Sequence, residues 1–142
     1  MTLKDFYAML DAPLVNARWS WGAVRQAGVA VILRVWEDEV KTRSGREFAL
    51  VLRHSAASAA PTHGRRERVQ HLDRIRGGAR CYLVMCEAVD TTARPRRIRR
   101  FNSGEVFVGG SVVEQFQGDY WVERLQSVPV DEFTVASRVG GA

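Results

Sequence analysis

The chain has 142 residues, of which 46% are hydrophobic and 26% charged, a composition that is typical of one folded domain and excludes a disordered chain. Its apolar runs are shorter than the roughly 18 residues of a membrane span and its first residues lack the pattern of a secretory signal, so we expect a cytoplasmic protein without membrane contact. The formal net charge is +5, but residues 62–100 hold 11 basic and four acidic residues, which concentrates a charge of +7 in that window. A local positive field of this kind is expected where a protein binds a phosphate-bearing partner.

The clustering of arginine, rather than the preference for it over lysine, carries this signal. Of the 21 basic residues 19 are Arg, and Ala, Val and Gly are abundant, which is typical of a GC-rich genome. The preference for Arg therefore does not by itself indicate phosphate recognition. Codon bias does not decide where along the chain the arginines fall, and five of them lie within the seven residues 94–100.

The first half of the chain is predicted to form a short helix and three strands. The elements, in chain order, are a helix over 2–10, strands over 18–25, 29–36 and 47–53, and a flexible connection over 55–61. Thr2 is the expected helix cap. The first two strands form a hairpin around the three-residue loop Gln26-Ala27-Gly28, which places Trp21 opposite Leu33.

The second half is predicted to contain the main helix and the central strand. The elements are a helix over 62–76, strands over 81–88, 106–108, 111–116 and 120–125, and a fraying tail from 134. Thr62 is the expected cap of this helix. The strand over 81–88 is apolar on both faces, which is typical of a central strand. Gly109–Gly110 and Gln117–Asp119 are predicted turns between the later strands.

These elements predict an α+β, mainly β protein, namely a small, mostly antiparallel β-barrel or half-barrel with one main helix packed against it. The alternative is an open sheet that the helix covers on one side. We expect a single domain over 1–142, with a core over about 17–133 and a flexible tail over 134–142. Cys81 and Cys86 lie five residues apart in one predicted strand, so they point to opposite faces and are expected to be buried free thiols.

Three tryptophans of the predicted hairpin are candidates for core packing or for base stacking. Trp19 and Trp21 lie two residues apart, and the hairpin directs both toward its apolar face. The opposite face carries Trp36 between Arg18 and Arg34. A base can stack on such a ring while the guanidinium groups bind its phosphates. A slip of one residue in the pairing would exchange the two faces, so this assignment depends on the register.

The predicted helix over 62–76 carries arginines in its first turn. Its apolar stripe consists of Val69, Leu72 and Ile75. Arg68 falls within that stripe, whereas Arg66 and Glu67 fall on the opposite face. Arg65, Arg66 and Arg68 are predicted to hold a phosphate, because a helix N-terminus favours an anion. The alternative is a solvated amphipathic helix whose arginine stems cover the edge of the core.

An arginine-rich stretch follows the central strand. Its basic residues are Arg94, Arg96, Arg97, Arg99 and Arg100. Guanidinium groups so close together repel one another unless a polyanion or nearby carboxylates neutralise them, so this stretch is a second predicted phosphate-binding segment. Phe101 and Asn102 come next and are able to stack on or hydrogen-bond a base. The alternative is a solvated loop balanced by the acidic C-terminal third.

A short acidic segment gives a second functional hypothesis. The residues Glu37-Asp38-Glu39-Val40-Lys41 have the form of part of a metal-dependent nuclease site, in which two acids hold Mg²⁺ and a Lys assists the attacking water. A distant acid such as Asp11 would have to complete it. His54, His63 and His71 lack metal-binding spacing, and the sequence has no P-loop, nucleophile elbow or dinucleotide fingerprint. We therefore expect no cofactor and no resident metal.

The order of the elements resembles that of the PUA-like superfamily of small barrels, which includes the EVE, YTH and ASCH domains. A tryptophan-bearing hairpin precedes a helix, Gly77-Gly78 and the apolar strand 81–88, and the strand Gly118-Asp119-Tyr120-Trp121-Val122 comes late. The Gly-x-Lys-x-x-Glu-x-Arg signature of ASCH domains is absent. The resemblance implies binding of RNA or DNA, often with a flipped or modified base in an aromatic pocket, for which Trp19, Trp21 and Trp36 would be the candidates.

The sequence thus predicts a non-enzymatic nucleic-acid-binding module, with RNA or DNA as its partner. One alternative is a metal-dependent nuclease, and another is a protein-interaction module that docks an acidic partner. The +7 window is divided by the buried strand 81–88 into a helix start and a loop. It becomes one binding site only if the fold brings these two parts together.

Overall fold

The computed structural model describes residues 1–25, 29–54, 62–115 and 118–133. In chain order its elements are helix α1 (Leu3–Met9), strands β1 (Gly22–Val24) and β2 (Ala30–Trp36), a 3₁₀ turn (Glu37–Glu39), strands β3 (Val40–Arg43) and β4 (Arg46–Leu52), helix α2 (His63–Arg76), and strands β5 (Arg80–Ala88), β6 (Ile98–Phe101), β7 (Glu105–Gln115) and β8 (Asp119–Pro129). Residues 130–133 are helical as well. The predicted loop 26–28, connection 55–61 and tail 134–142 lie outside the described residues.

The strands form one mixed sheet with the order β1-β2-β5-β7-β8-β4-β3, and β6 pairs with β5 beside this path. The β2–β5 pair is parallel and the other pairs are antiparallel. Within the described residues the end strands β1 and β3 do not pair with each other, so the sheet is open. The prediction of a mainly β protein with β5 as a central strand is confirmed, whereas this pairing does not close a barrel.

Each face of the sheet has its own helix and core. The α2 core consists mainly of Val31, Leu33, Val35, Ala49, Val51, Leu72, Ile75, Cys81, Leu83, Met85 and Val122. The α1 core consists mainly of Phe6, Tyr7, Leu10, Ala23, Ile32, Val84, Cys86 and Val106. Helix α1, which Thr2 caps as predicted, is fully buried at Phe6, Tyr7 and Leu10, so the core begins before the expected residue 17. No helix in the described ranges is both long and apolar enough to cross a bilayer.

The two cysteines divide between these cores as predicted. Cys81 belongs to the α2 core and Cys86 to the α1 core, because alternate residues of β5 face opposite sides of the sheet. Both are buried and unpaired. Burial raises the pKa of each thiol to about 12, so both stay protonated at neutral pH.

The register of the β1–β2 hairpin differs from the prediction by one residue. Gly22, rather than Trp21, lies opposite Leu33. A Cβ atom on Gly22 would lie 2.5 Å from the carbonyl oxygen of Ile32, so only glycine allows the approach of the two strands. Trp21 precedes the strand and is free to turn toward α2, where it packs against the α2 core. The predicted strand over 18–25 is thereby reduced to Gly22–Val24.

The predicted turn at Gly109–Gly110 is wrong. Both glycines lie inside the long strand β7, which replaces two predicted short strands. The pairing of β7 with β8 shifts on either side of Gly109, and a Cβ atom there would lie 2.6 Å from the Cys81 sulfur. This glycine therefore marks an irregularity in a strand and a close approach of side chains, which is a second common reason for glycine in a sheet.

Candidate nucleic-acid interface

Arg68 was predicted to hold phosphate and instead lies in the interior, with 3% of its surface exposed. Its Nη1 donates to the carbonyl oxygen of Val51 at 2.6 Å, and its Nη2 donates to those of Trp21 and Arg34 at 2.8 Å each. Burial lowers the pKa of Arg68 to about 10, which still leaves it charged at neutral pH. Because its donors are committed to three strand-end carbonyls, Arg68 ties α2 to the sheet and does not belong to a binding surface.

The buried side of α2 is more polar than the predicted stripe. Glu67, expected on the exposed side, is buried and accepts a 3.1 Å hydrogen bond from the Ser20 hydroxyl. Burial raises the pKa of Glu67. His71 is also buried, and burial lowers its pKa to about 4. Leu72 and Ile75 pack as predicted, whereas Val69 is partly exposed, so the buried face is turned toward Arg68 rather than toward Val69.

The start of α2 leaves two arginines outside the core. Thr62 caps the helix by accepting from the backbone amide of Arg65, as predicted. The Arg65 side chain donates to the carbonyl oxygen of Arg53 at 2.8 Å. Arg66 is exposed, and its side chain has no hydrogen bond or ion pair among the described residues. Of the predicted arginines Arg65, Arg66 and Arg68, only the first two thus face solvent. Arg65 also connects the helix to the end of β4.

Arg53 joins the two parts of the basic window. Its backbone carbonyl accepts from Arg65, and its guanidinium forms an ion pair with Glu39, which also lies 3.8 Å from Arg96. Burial lowers the pKa of Arg53, and the nearby charges of Arg94 and Arg96 lower it further. The helix start and the arginine-rich loop therefore meet at a group that we call the arginine junction, which consists of Arg53, Arg65, Arg94 and Arg96.

The acidic 3₁₀ turn holds this junction in place. Both Nη atoms of Arg96 bond to the carboxylate of Asp38, at 2.7 and 3.0 Å, and Glu39 lies between Arg96 and Arg53. Only 8% of the Arg96 side chain is exposed, so this predicted phosphate contact is an internal ion pair. No group of three or more potential metal ligands exists within the described residues. Asp38 and Glu39, which the nuclease hypothesis needs as metal ligands, are thus paired with arginines.

The remaining arginines of the loop and of β6 are more accessible. Arg100 donates from Nε and Nη2 to the Glu87 carboxylate, at 2.5 and 3.4 Å, and Arg99 lies 3.9 Å from the same group. Within the described part of the chain, the Arg94 side chain bonds to nearby backbone carbonyls only. Arg97 is exposed and makes no ion pair with any described residue. Four of the five predicted arginines of this stretch therefore present their charge to solvent.

The three candidate stacking residues differ in their surroundings. Trp21 packs against the α2 core and next to Gly64, so it is a core residue rather than a base platform. Trp19 is partly buried and its ring lies 5.4 Å from that of His63. Trp36 is partly buried, with the guanidinium carbons of Arg34 and Arg96 at 5.8 and 5.4 Å from its ring. Trp36 packs against the α1 core and lies beside Arg96 of the arginine-rich loop. Arg18, a predicted phosphate contact, is exposed in the segment before β1.

A small cavity opens beside the 3₁₀ turn and β6. We call it the β6 cleft, and it is lined by Glu37, Met85, Glu87, Arg100, Phe101 and Asn102 with a volume of about 180 Å³. The Asn102 side-chain oxygen accepts from the backbone amides of Gly104 and Glu105, so that amide group stabilises a turn. Glu37 adjoins Asp38, which places the cleft next to the arginine junction.

Comparison with protein-family models, curated proteins and solved structures finds no match for this chain. The resemblance to the PUA-like superfamily therefore stays a prediction. Sequence reasoning missed Arg53 and Glu87, which decide how the predicted arginines are arranged. In the sequence, each is a charged residue at the end of an apolar strand. Many surface residues occupy such positions, so this pattern does not identify a site residue.

Proposed function

We propose that this chain is a non-enzymatic nucleic-acid-binding module built on a PUA-like fold. The observation that carries the proposal is the arginine junction, where Arg53 connects the two parts of the +7 window. Two basic segments thereby contribute to one positive surface, although Arg66 and Arg94 are 28 positions apart in the sequence. A surface of this kind attracts a polyanion and releases its counterions on binding.

The exposed arginines around the junction are the phosphate contacts in this proposal. They are Arg66, Arg94, Arg97 and Arg99, while Arg53 and Arg65 are half-exposed at the centre. Arg96, whose side chain is 8% exposed and paired with Asp38, positions the loop and does not bind phosphate. Trp36 supplies the aromatic surface next to these contacts, since its ring already lies among guanidinium groups. The PUA-like resemblance adds support, because it implies RNA or DNA as the partner.

Fluorescence anisotropy with labelled oligonucleotides tests the proposal. Single-stranded RNA, single-stranded DNA and a duplex are titrated at 50 and 200 mM salt. Three to four phosphate contacts on a single strand predict a fall in affinity of roughly 20-fold to 50-fold between these concentrations. Absence of binding at micromolar protein, or binding that salt does not weaken, would overturn the proposal. Binding to an acidic peptide that the oligonucleotides do not displace would favour a protein-interaction module instead.

A gel of the same oligonucleotides checks that the module is not an enzyme. The proposal predicts intact strands after prolonged incubation with Mg²⁺, because Asp38 and Glu39 are neutralised by Arg96 and Arg53. Cleavage that Glu39→Ala abolishes would contradict the non-enzymatic proposal and support a nuclease.

A further inference from the structure

The β6 cleft has the size and lining of a site for one flat ring. Its volume of about 180 Å³ is below the roughly 300–1,000 Å³ of sites for drug-sized ligands, so it admits a single base and not a whole nucleotide. Met85, 1% exposed, forms an apolar wall. Phe101 also lines the cleft, and its ring lies 5.2 Å from the Phe6 ring of α1. Met85 is packed in the α2 core and Phe101 against the α1 core, so the cleft is preformed.

Most polar groups of the cleft are already engaged. Glu87 accepts two hydrogen bonds from Arg100, and the Asn102 amide closes a turn with Gly104 and Glu105. The carboxylate of Glu37 is exposed and has no hydrogen bond or ion pair with any described residue. An ionised carboxylate is an acceptor only, so Glu37 requires a ligand that presents donors.

Resting on the proposed function, we propose that the β6 cleft binds a guanine base of an unpaired strand, and that Glu37 recognises the base through the donors of its Watson–Crick edge. Guanine places two neighbouring donors there, N1–H and the N2 amino group, which match the two oxygens of a carboxylate. Adenine and cytosine place a ring acceptor beside their single amino group, and uracil flanks its N–H with two carbonyls. Each of these bases therefore turns at least one acceptor toward the carboxylate.

Arg100 complements the third group of that edge. Guanine O6 is an acceptor adjacent to N1–H, and Arg100 retains free donors after its two bonds to Glu87. Glu37 and Arg100 are near enough that the charge of Glu37 contributes to raising the pKa of Arg100, after the larger effect of Glu87. Both residues line the cleft, so it offers an acceptor and a donor to the guanine edge.

The position of the cleft also fits a strand held at the arginine junction. Glu37, Asp38 and Glu39 are successive residues of one 3₁₀ turn, and the second and third hold Arg96 and Arg53. A base that enters the cleft at Glu37 leaves its flanking phosphates within reach of the loop that carries Arg94 and Arg97. Phosphate binding and base recognition are therefore organised by the same short turn.

The test compares hexamers of uridine with hexamers in which one central uridine is replaced by guanosine, inosine or adenosine. We expect the guanosine hexamer to bind about tenfold tighter than the uridine hexamer, and inosine, which lacks the 2-amino group, to fall between them. Glu37→Gln should abolish most of this preference without weakening the binding of the uridine hexamer. Glu114→Gln, the same change at an exposed carboxylate of β7, is the matched control and should keep the preference.

The outcomes separate the two proposals. Hexamers that all bind with equal affinity would overturn the guanine site and leave the nucleic-acid-binding proposal intact. Absence of binding by every hexamer would overturn both. Retention of the full preference in the Glu37→Gln variant, with an unchanged circular dichroism spectrum, would refute the role of Glu37.

Discussion

Arg68 and Arg100 belong to the same basic window and have opposite surroundings. Arg68 is buried, donates to three backbone carbonyls and has its pKa lowered by burial. Arg100 is exposed, pairs with Glu87 and has its pKa raised by the hydrogen bond to that carboxylate. The first connects α2 to the sheet, and the second faces solvent at the β6 cleft.

The charge of a segment and the charge of a surface are therefore separate quantities. The window of residues 62–100 has a formal charge of +7, but Arg68 and Arg96 are committed to internal partners. Only the exposed subset is free to contact the phosphates of a polyanion directly. Substitutions on the two sides of this division should therefore change different properties, stability on the inside and binding on the outside.

The largest effect is expected from Arg68→Met, which keeps most of the side-chain volume and removes the guanidinium. Three hydrogen bonds to backbone carbonyls are lost, one of them fully buried, so the free energy of unfolding should fall by about 3 kcal/mol. Urea unfolding measures it. Arg66→Met makes the same change at an exposed position of the same helix and should stay within about 0.5 kcal/mol of the parent. Equal losses of stability in the two variants would refute the distinction between buried and exposed arginines of this window.

Acid should lower the free energy of unfolding because His71 is buried in its neutral form. Its folded-state pKa of about 4 lies below the value near 6.5 of an unfolded chain, so its contribution is complete above pH 6.5 and is lost as the pH falls toward 4. The loss between pH 7 and pH 4.5 is on the order of 2–3 kcal/mol. Buried Glu67, whose pKa is raised, acts with the opposite sign because its protonation favours the folded state.

Unfolding by urea at several pH values isolates this effect. The free energy of unfolding of His71→Phe should decrease less on acidification than that of the parent protein, and the difference between them belongs to His71. His63→Phe, at an exposed position of α2, should follow the parent. A parallel pH dependence of His71→Phe and the parent would contradict the buried, neutral state of His71.

The contact between α2 and the segment before β1 should be sensitive to one methyl group. A Cβ atom on Gly64 would lie 2.6 Å from the Trp21 ring and 2.7 Å from the Trp19 carbonyl oxygen. Gly64→Ala should therefore cost about 1–2 kcal/mol of stability through overpacking. Gly104→Ala, where the nearest atom is at 3.6 Å, provides a control with little change in the thermal midpoint. A neutral Gly64→Ala variant would show that this contact is looser than described.

The smallest effect on stability is expected on the outside, at Arg100. Arg100→Ala should leave the urea midpoint unchanged, because the pair with Glu87 is exposed and solvent screens it. Affinity for the guanosine hexamer should fall roughly tenfold, since a charge-assisted hydrogen bond to the base is lost. Arg74→Ala, also exposed in the basic window, should change neither property. A destabilised Arg100→Ala variant would show that Arg100, like Arg68, stabilises the fold.

Local signals explain which parts of the fold could be predicted. The caps Thr2 and Thr62 and the apolar run of β5 act within a few residues, and their elements are confirmed. The register of β1 depends on the close approach of Gly22 to β2, and the continuity of β7 depends on the contact of Gly109 with Cys81. Both contacts exist only between strands, so neither could be read from local sequence.

The candidate site shows the same limit. The position of Arg68 within the apolar stripe was predicted, but its three acceptors come from β4, from β2 and from the residue before β1. The arginine junction likewise depends on Arg53, which reaches Arg65 and Glu39 only after the chain has folded. Sequence reasoning located the charge, and tertiary contacts decide which guanidinium groups remain available.

A paired salt titration asks whether the exposed loop arginines form the phosphate-binding surface. The variant Arg94→Gln/Arg97→Gln is compared with Arg74→Gln/Arg80→Gln, which removes the same charge from the same window. Arg80 lies at the opposite end of β5, about 26 Å along the strand from Ala88. For a single-stranded oligonucleotide, the slope of log affinity against log salt should fall by about 1.4 in the first variant and stay near that of the parent in the second. Equal changes in both variants would contradict the claim.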